Sequence, residues 1–357
     1  MRTSAPRTAL LCSRPRVRFR PTTVREWPVQ RGGALLAVLW LSAALSAIAF
    51  SVANSVRGET ERASTHADSV RAYYLAAGAV DRALLYMQWG PAYRNPDGSP
   101  RYYAPDKPFL RMPFPAGEVF VEVIPETSKL NINTAPAEEL LRLMLASGIP
   151  PGQADEIVAG IVDWRSAVPP GAVTPFDQYY LSLAPSFRAR HASFQEIEEL
   201  LLVKGMTPDL FYGSYERGPE GNLIPRGGLR DCLSIYGALA GFDVNTVSPV
   251  LMAAIGLTPN SIAAILERRR VLPFRSAADL APLAEAGGPG FRRLAVSAGT
   301  IFTIRATAQL RIGENQLSDL RRSVAAVVKY PTDFAKEPPY TVLRWYDNTW
   351  VDLRAWQ

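Results

Sequence analysis

The chain is poor in the residues from which most enzyme sites are built. Among 357 residues it has two cysteines, Cys12 and Cys232, and two histidines, His66 and His191. Two cysteines without C-x-x-C spacing exclude a disulfide scaffold and a thiolate zinc site. There is no HExxH, no GxSxG, no Walker loop and no GxGxxG. No stretch has the spacing of an EF-hand loop. The two histidines read as surface side chains and Cys232 as an ordinary, partly buried thiol. Glu196, Glu198 and Glu199 read as a solvated helix face. Nothing forms the constellation that catalysis requires, so the chain reads as a non-enzyme needing no cofactor.

Net charge is also small outside one region. The formal net charge is +6 and the pI about 9.4, a balance that suggests nucleic acid. Residues 1–32, however, hold eight arginines and a single acid, Glu26, leaving −1 for everything after Gly32. The basic character belongs to an N-terminal leader. With 48% apolar and 20% charged residues the chain as a whole is not disordered, and its length suits two compact domains.

What is present begins with an uncharged run of 25 residues, Gly32–Val56, enough for a single membrane-spanning helix. The arginines precede it, so the N-terminus is expected in the cytoplasm and the remainder across the inner membrane. A cleaved secretory signal is the rival, but its apolar core is shorter. No proline falls between Pro28 and Pro91, and Val70, Tyr73, Tyr74, Ala77, Val80, Leu84 and Met87 recur at helical spacing. The economical reading is one helix over 33–89, on the order of 80 Å long, with an anchor followed by a separate soluble helix as the alternative.

Further along, the chain repeats itself. Leu130-Asn131-Ile132-Asn133-Thr134-Ala135-Pro136 is similar to Phe242-Asp243-Val244-Asn245-Thr246-Val247-Ser248-Pro249. Each stretch is followed by a helix, a glycine turn at Gly148 or Gly256, and a second helix ending in basic residues. A short element led by Phe194 or Phe274 comes next. Thr134 and Thr246 suit N-caps, and the two glycines suit the left-handed residue that ends a helix. Strands are expected at Glu118–Ile124, Ile301–Leu310, Ser323–Tyr330 and Tyr340–Trp345. Tyr93–Pro115 reads as a loop. One strand before the helical block and three after it predict an α+β fold: a long N-terminal helix packed on an antiparallel sheet, with an all-helical domain inserted.

Two resemblances enter here. The paired units look like helix-hairpin-helix modules, which often bind DNA phosphates through backbone N–H groups. Where such modules carry a second glycine, this chain has Pro150 and Thr258, and proline has no N–H to donate. Arg268, Arg269 and Arg270 are the one basic cluster. No nucleic acid is therefore expected, and a membrane-anchored periplasmic DNA receptor is the alternative function. The junction Arg31-Gly32-Gly33-Ala34-Leu35-Leu36 resembles the class III leader site of pseudopilins. The fifth mature position, where most pilins carry a glutamate, is Ala37 (or Val38 for a cut after Gly33), and that missing glutamate is the mark of the K-type subunit. As a whole the chain resembles the K-type minor pseudopilin of type II secretion, general secretion pathway protein K.

That resemblance implies a pilin-like head with the helical domain inserted. It gives a cleaved leader over 1–32, a membrane segment over 33–56, a head over 57–129 and 296–357, and an insert over 130–295. It implies cutting by prepilin peptidase after Gly32, or after Gly33, and methylation of the new amino terminus. It implies I- and J-type minor pseudopilins and the other pseudopilins of the fibre as partners. The function implied is to start and cap a pseudopilus for protein export. Calcium comes by resemblance only, with no ligand assigned.

Overall fold

The computed structural model describes residues 33–90, 92–104, 108–219, 221–285, 287–296, 299–313, 316–331 and 338–349. The leader, Gly32 of the expected cut and Cys12 lie outside the described residues. The chain falls into two compact units, Met1–Ala63 and Ser64–Gln357.

A 57-residue helix, α1 (Gly33–Trp89), belongs to both. In the first unit every described residue but Gly58 is exposed. By length and composition alone this helix is long and apolar enough to cross a membrane. In the second unit its buried face is Ser69, Ala72, Ala76, Ala79, Val80, Ala83 and Leu84. Of the expected apolar face, Val80 and Leu84 are buried and Tyr73 and Met87 pack against the core, whereas Val70 is 41% and Tyr74 68% exposed. A seam of alanines faces inward because small side chains let helix and sheet approach closely, while the larger rings stay at the rim.

After α1 come β1 (Phe109–Phe114) and β2 (Gly117–Pro125). β1 lies in the stretch read from sequence as a loop. Its Pro113 is tolerated because β1 is a sheet edge, where a missing N–H costs no ladder bond. The intervening block comprises β3 (Leu130–Asn131), α2 (Ala137–Ala146), α3 (Pro151–Arg165), α4 (Pro175–Leu181), α5 (Pro208–Tyr212), β4 (Gly213–Arg217), β5 (Leu223–Gly227), β6 (Leu233–Ser234), β7 (Phe242–Asp243), α6 (Pro249–Ala254), α7 (Pro259–Val271) and β8 (Leu294–Ala295). The chain ends with β9 (Ile301–Arg311), β10 (Leu317–Lys329) and β11 (Thr341–Tyr346).

The five-stranded sheet has the order β1-β2-β9-β10-β11, and all its pairs are antiparallel. Its register aligns Val121 with Ala306 and Val324, and Val123 with Ile304 and Ala326. These side chains share one face and form a core with the α1 alanines. A second core lies wholly within residues 130–294. That block is not all-helical. It contains the hairpin β4–β5 and two short parallel pairs, β3 with β6 and β7 with β8. The elements expected after Phe194 and Phe274 are 3-10 turns, Ile197–Leu202 and Ala277–Asp279.

Candidate functional site

No reactive constellation is visible among the described residues, and the sequence-predicted motif residues sit in two matching pieces of backbone scaffolding. Each begins on a two-residue parallel strand pair: β3 on β6, and β7 on β8. The strand then breaks into a tight turn. Ala135 N–H donates to Asn131 O at 2.9 Å, and Val247 N–H to Asp243 O at 2.8 Å. The side chain of Asn131 accepts from Asn133 N–H at 2.9 Å, and that of Asp243 from Thr246 Oγ1 at 2.5 Å.

The second asparagine of each turn reaches across the fold. Asn133 accepts from Phe194 N–H at 2.7 Å and donates to Phe194 O at 3.0 Å. Asn245 does the same to Phe274, both bonds at 2.9 Å. An amide has one acceptor and two donors on one rigid plane, so it can pair with both backbone groups of a single residue as a strand would. The rings of Phe194 and Phe274 are thereby held in the second core, 2% and 0% exposed.

An arginine near the end of each second helix closes the turn from the other side. Arg165 donates to Ile132 O and Ala135 O at 2.5 and 2.6 Å. Arg269 donates to Val244 O and Val247 O at 3.3 and 2.8 Å. The four carbonyls occupy equivalent places in the two copies. Burial pulls both guanidinium groups below their ordinary pKa. Aligning the copies would have found these arginines, since both second helices end in basic residues.

The threonines do not cap. The N-cap of α2 is Pro136, and that of α6 is Ser248, whose Oγ accepts from Leu251 N–H at 3.1 Å. Thr134 and Thr246 are spent inside the turn, which runs two residues longer than the motif suggested. Gly148 and Gly256 have φ of +77° and +95°. Gly33 opens α1 with open space around it.

Other polar residues depart from their sequence reading. His191 is largely buried: its Nδ1 lies 3.1 Å from Asp163 O and its Nε2 3.0 Å from Asp177 Oδ2. Burial alone would lower its pKa, but the Asp177 hydrogen bond and the Asp163 carbonyl together raise it. The three glutamates are not a solvated face. Glu199 accepts from Trp164 Nε1 at 3.1 Å and from Gln195 and Glu196 N–H. Glu196 binds both arms of Arg344 in β11. Glu198 lies against Arg230.

A second link to the sheet is Glu126, 2% exposed. It accepts from Lys129 at 2.9 Å, from Thr303 of β9 at 2.6 Å, and from Ser234 of β6. Burial opposes its charge, yet Lys129 and the two hydroxyls hold its pKa below the usual value. Of the arginine cluster, Arg269 points inward and Arg268 pairs with Asp279 at 2.9 Å. Among the described residues no group of three or more His, Cys, Asp or Glu could hold a metal ion.

Residues 123–212 match the family model for the first domain of protein K of the type II secretion system. They span the β2 exit, the first scaffold and its clamp on Phe194. No curated protein matches the chain. Among solved structures, the chain is similar to a chain of the crystal structure of the GspK–GspI–GspJ complex from the enterotoxigenic Escherichia coli type 2 secretion system. Identity is 18% and the TM-score 0.51, over 80% of this chain and 98% of that one. Over its first scaffold the chain is thus similar in sequence to the first domain of type II secretion system protein K, and its fold is similar to that of the solved chain.

Proposed function

We propose that the chain is a minor pseudopilin at the tip of the type II secretion pseudopilus, where it starts assembly and caps the fibre. The observation that carries the reading is the protein K domain over 123–212, inserted between β2 and β9 of a helix-on-sheet head. The leader is cut after Gly32, or after Gly33. The exposed first half of α1 holds the subunit in the inner membrane with its N-terminus cytoplasmic, then packs on neighbouring helices in the fibre. Ala43, Ala44, Ala47 and Ala49 let those helices come close. Ala37 supports a terminal position, because a carboxylate there would need a partner in hydrocarbon. The partners are I- and J-type subunits, as in the complex that the similar solved chain comes from.

The rival DNA receptor draws no support from the second scaffold, whose Arg269 is committed to its own backbone. The test is the N-terminal sequence and mass of the chain after co-expression with a prepilin peptidase, followed by co-purification with I- and J-type subunits. The expected product starts at Gly33 or Ala34 and pulls down both partners. An uncut chain, or loss of the whole apolar run, overturns the reading.

A further inference from the structure

A cleft of about 840 Å³ lies between the insert and the C-terminal strands, with Arg230, Glu198, Tyr212, Tyr215, Tyr346 and Asn348 among its lining. Its centre is Arg230. The guanidinium is held between two rings, 5.8 Å from the Tyr212 centroid and 5.1 Å from that of Tyr346. The side chain is 19% exposed, and its one ionic neighbour among the described residues is Glu198 at 3.8 Å, beyond hydrogen-bond reach. Two other arginines line the wall, Arg321 and Arg344, and Arg344 is bound by Glu196. Arg230 therefore presents a fork of donors with no acceptor among the described residues. Glu198 is in the opposite condition: its Oε2 is buried with no donor among the described residues.

A mostly buried arginine with an empty fork is costly, and so is an unpaired carboxylate oxygen. The two rings fix the guanidinium plane in advance, which reduces the order lost when a planar anion pairs with it. A bare inorganic anion would answer Arg230 and leave Glu198 facing like charge. A carboxylate with an N–H one or two bonds away answers both groups at once, after a turn of the loose terminal torsion of Glu198. The final residue of a polypeptide has that pattern. Tyr215, 44% exposed at the rim, offers a surface for its side chain.

We infer that this cleft is a docking site for the carboxyl-terminal residue of a partner polypeptide, with Arg230 taking the carboxylate and Glu198 the adjacent N–H. The inference does not depend on the proposed place in the pseudopilus.

The test uses the full chain in detergent and N-acetylated pentapeptides with a randomised last residue, titrated as the free carboxylate and as the C-terminal amide. The free acids are expected to bind at least tenfold more tightly than the amides. Arg230→Lys, which keeps the charge but loses the fork, is expected to weaken them at least tenfold with its melting temperature near that of the parent. Glu198→Gln is expected to narrow the preference for a peptide over acetate alone. Equal binding of acid and amide, or undiminished binding to Arg230→Lys, overturns the assignment. So does binding that appears only after removal of residues 350–357, which would make the chain's own tail the occupant.

Discussion

The sheet and the block between β2 and β9 bury their interiors by different means. In the sheet, valine, isoleucine and alanine alternate along β2, β9 and β10, and the register stacks them in rows against the alanine seam of α1. Regular hydrogen bonding leaves the apolar side chains of this face one task, which is to fill space. In the block, helices are short and strands are two residues long. Turn carbonyls and the backbones of Phe194 and Phe274 would lack partners without Asn133, Asn245, Arg165 and Arg269. Where regular structure runs out, polar side chains substitute for strands. Such a region tolerates apolar repacking but not loss of a clamp.

The strongest way to break the comparison is to separate the regions. Pro125 pairs with Phe302 across β2 and β9, so the chain leaves and re-enters the sheet at adjacent points. Replacing residues 130–295 with a short glycine–serine linker should leave a sheet that melts cooperatively, followed by circular dichroism in detergent. A chain without cooperative melting would mean that the sheet depends on the block through Glu126 and Arg344, and the two-region picture would fail.

Next in size are the arginines. Arg165→Met and Arg269→Met keep most of the apolar stem but orphan two carbonyls each, at a cost of about 1.5–3 kcal/mol apiece for bonds to a charged group. Because the copies match, the two losses should be alike in chemical denaturation. A loss at one site alone would show that the repeat is one of shape and not of energetics.

A smaller effect separates cap from turn. Ser248→Ala removes the side-chain acceptor at the start of α6 and should cost about 1 kcal/mol. Thr134→Ala alters an exposed side chain outside the cap and should change stability by less than about 0.5 kcal/mol. The reverse ranking would restore Thr134 as the cap expected from its place before Pro136.

This ranking also marks how far the sequence could be read. β2, β9, β10 and β11 were legible because strand alternation reports a single face of a regular ladder. The long helix was legible from its lack of proline and its uncharged run. β1 was read as part of a loop, and its Pro113 is tolerated only because the strand lies at an edge, a property of the assembled sheet. The repeat was visible as Asn-Thr and glycine, but its working parts were not. Asn133 reaches a residue 61 positions away and Asn245 one 29 away. No local spacing encodes such a pairing, and the same distance effect disguised His191 as a surface residue.

His191 supplies the finest test, since a pH profile separates a structural clamp from a solvated side chain. Both ring nitrogens face acceptors, and a backbone carbonyl can only accept, so the doubly protonated ring is the form that satisfies both. Its folded pKa is raised above the ordinary 6.5 despite burial. The stabilisation is therefore complete below about pH 6.5 and is lost as pH rises through the folded value. Asp177 has the opposite sign. Burial favours its neutral form, but His191 and the N–H groups of Thr174 and Ala189 depress its pKa. Its contribution is present above the ordinary carboxylate range and lost as pH falls through the depressed value. Stability should thus decline on the alkaline side of a plateau, and His191→Asn should flatten that decline. Asparagine suits the control because the backbone at 191 has φ of +49°, a conformation it tolerates. An unchanged slope in the variant would return His191 to the surface role its sequence context suggested.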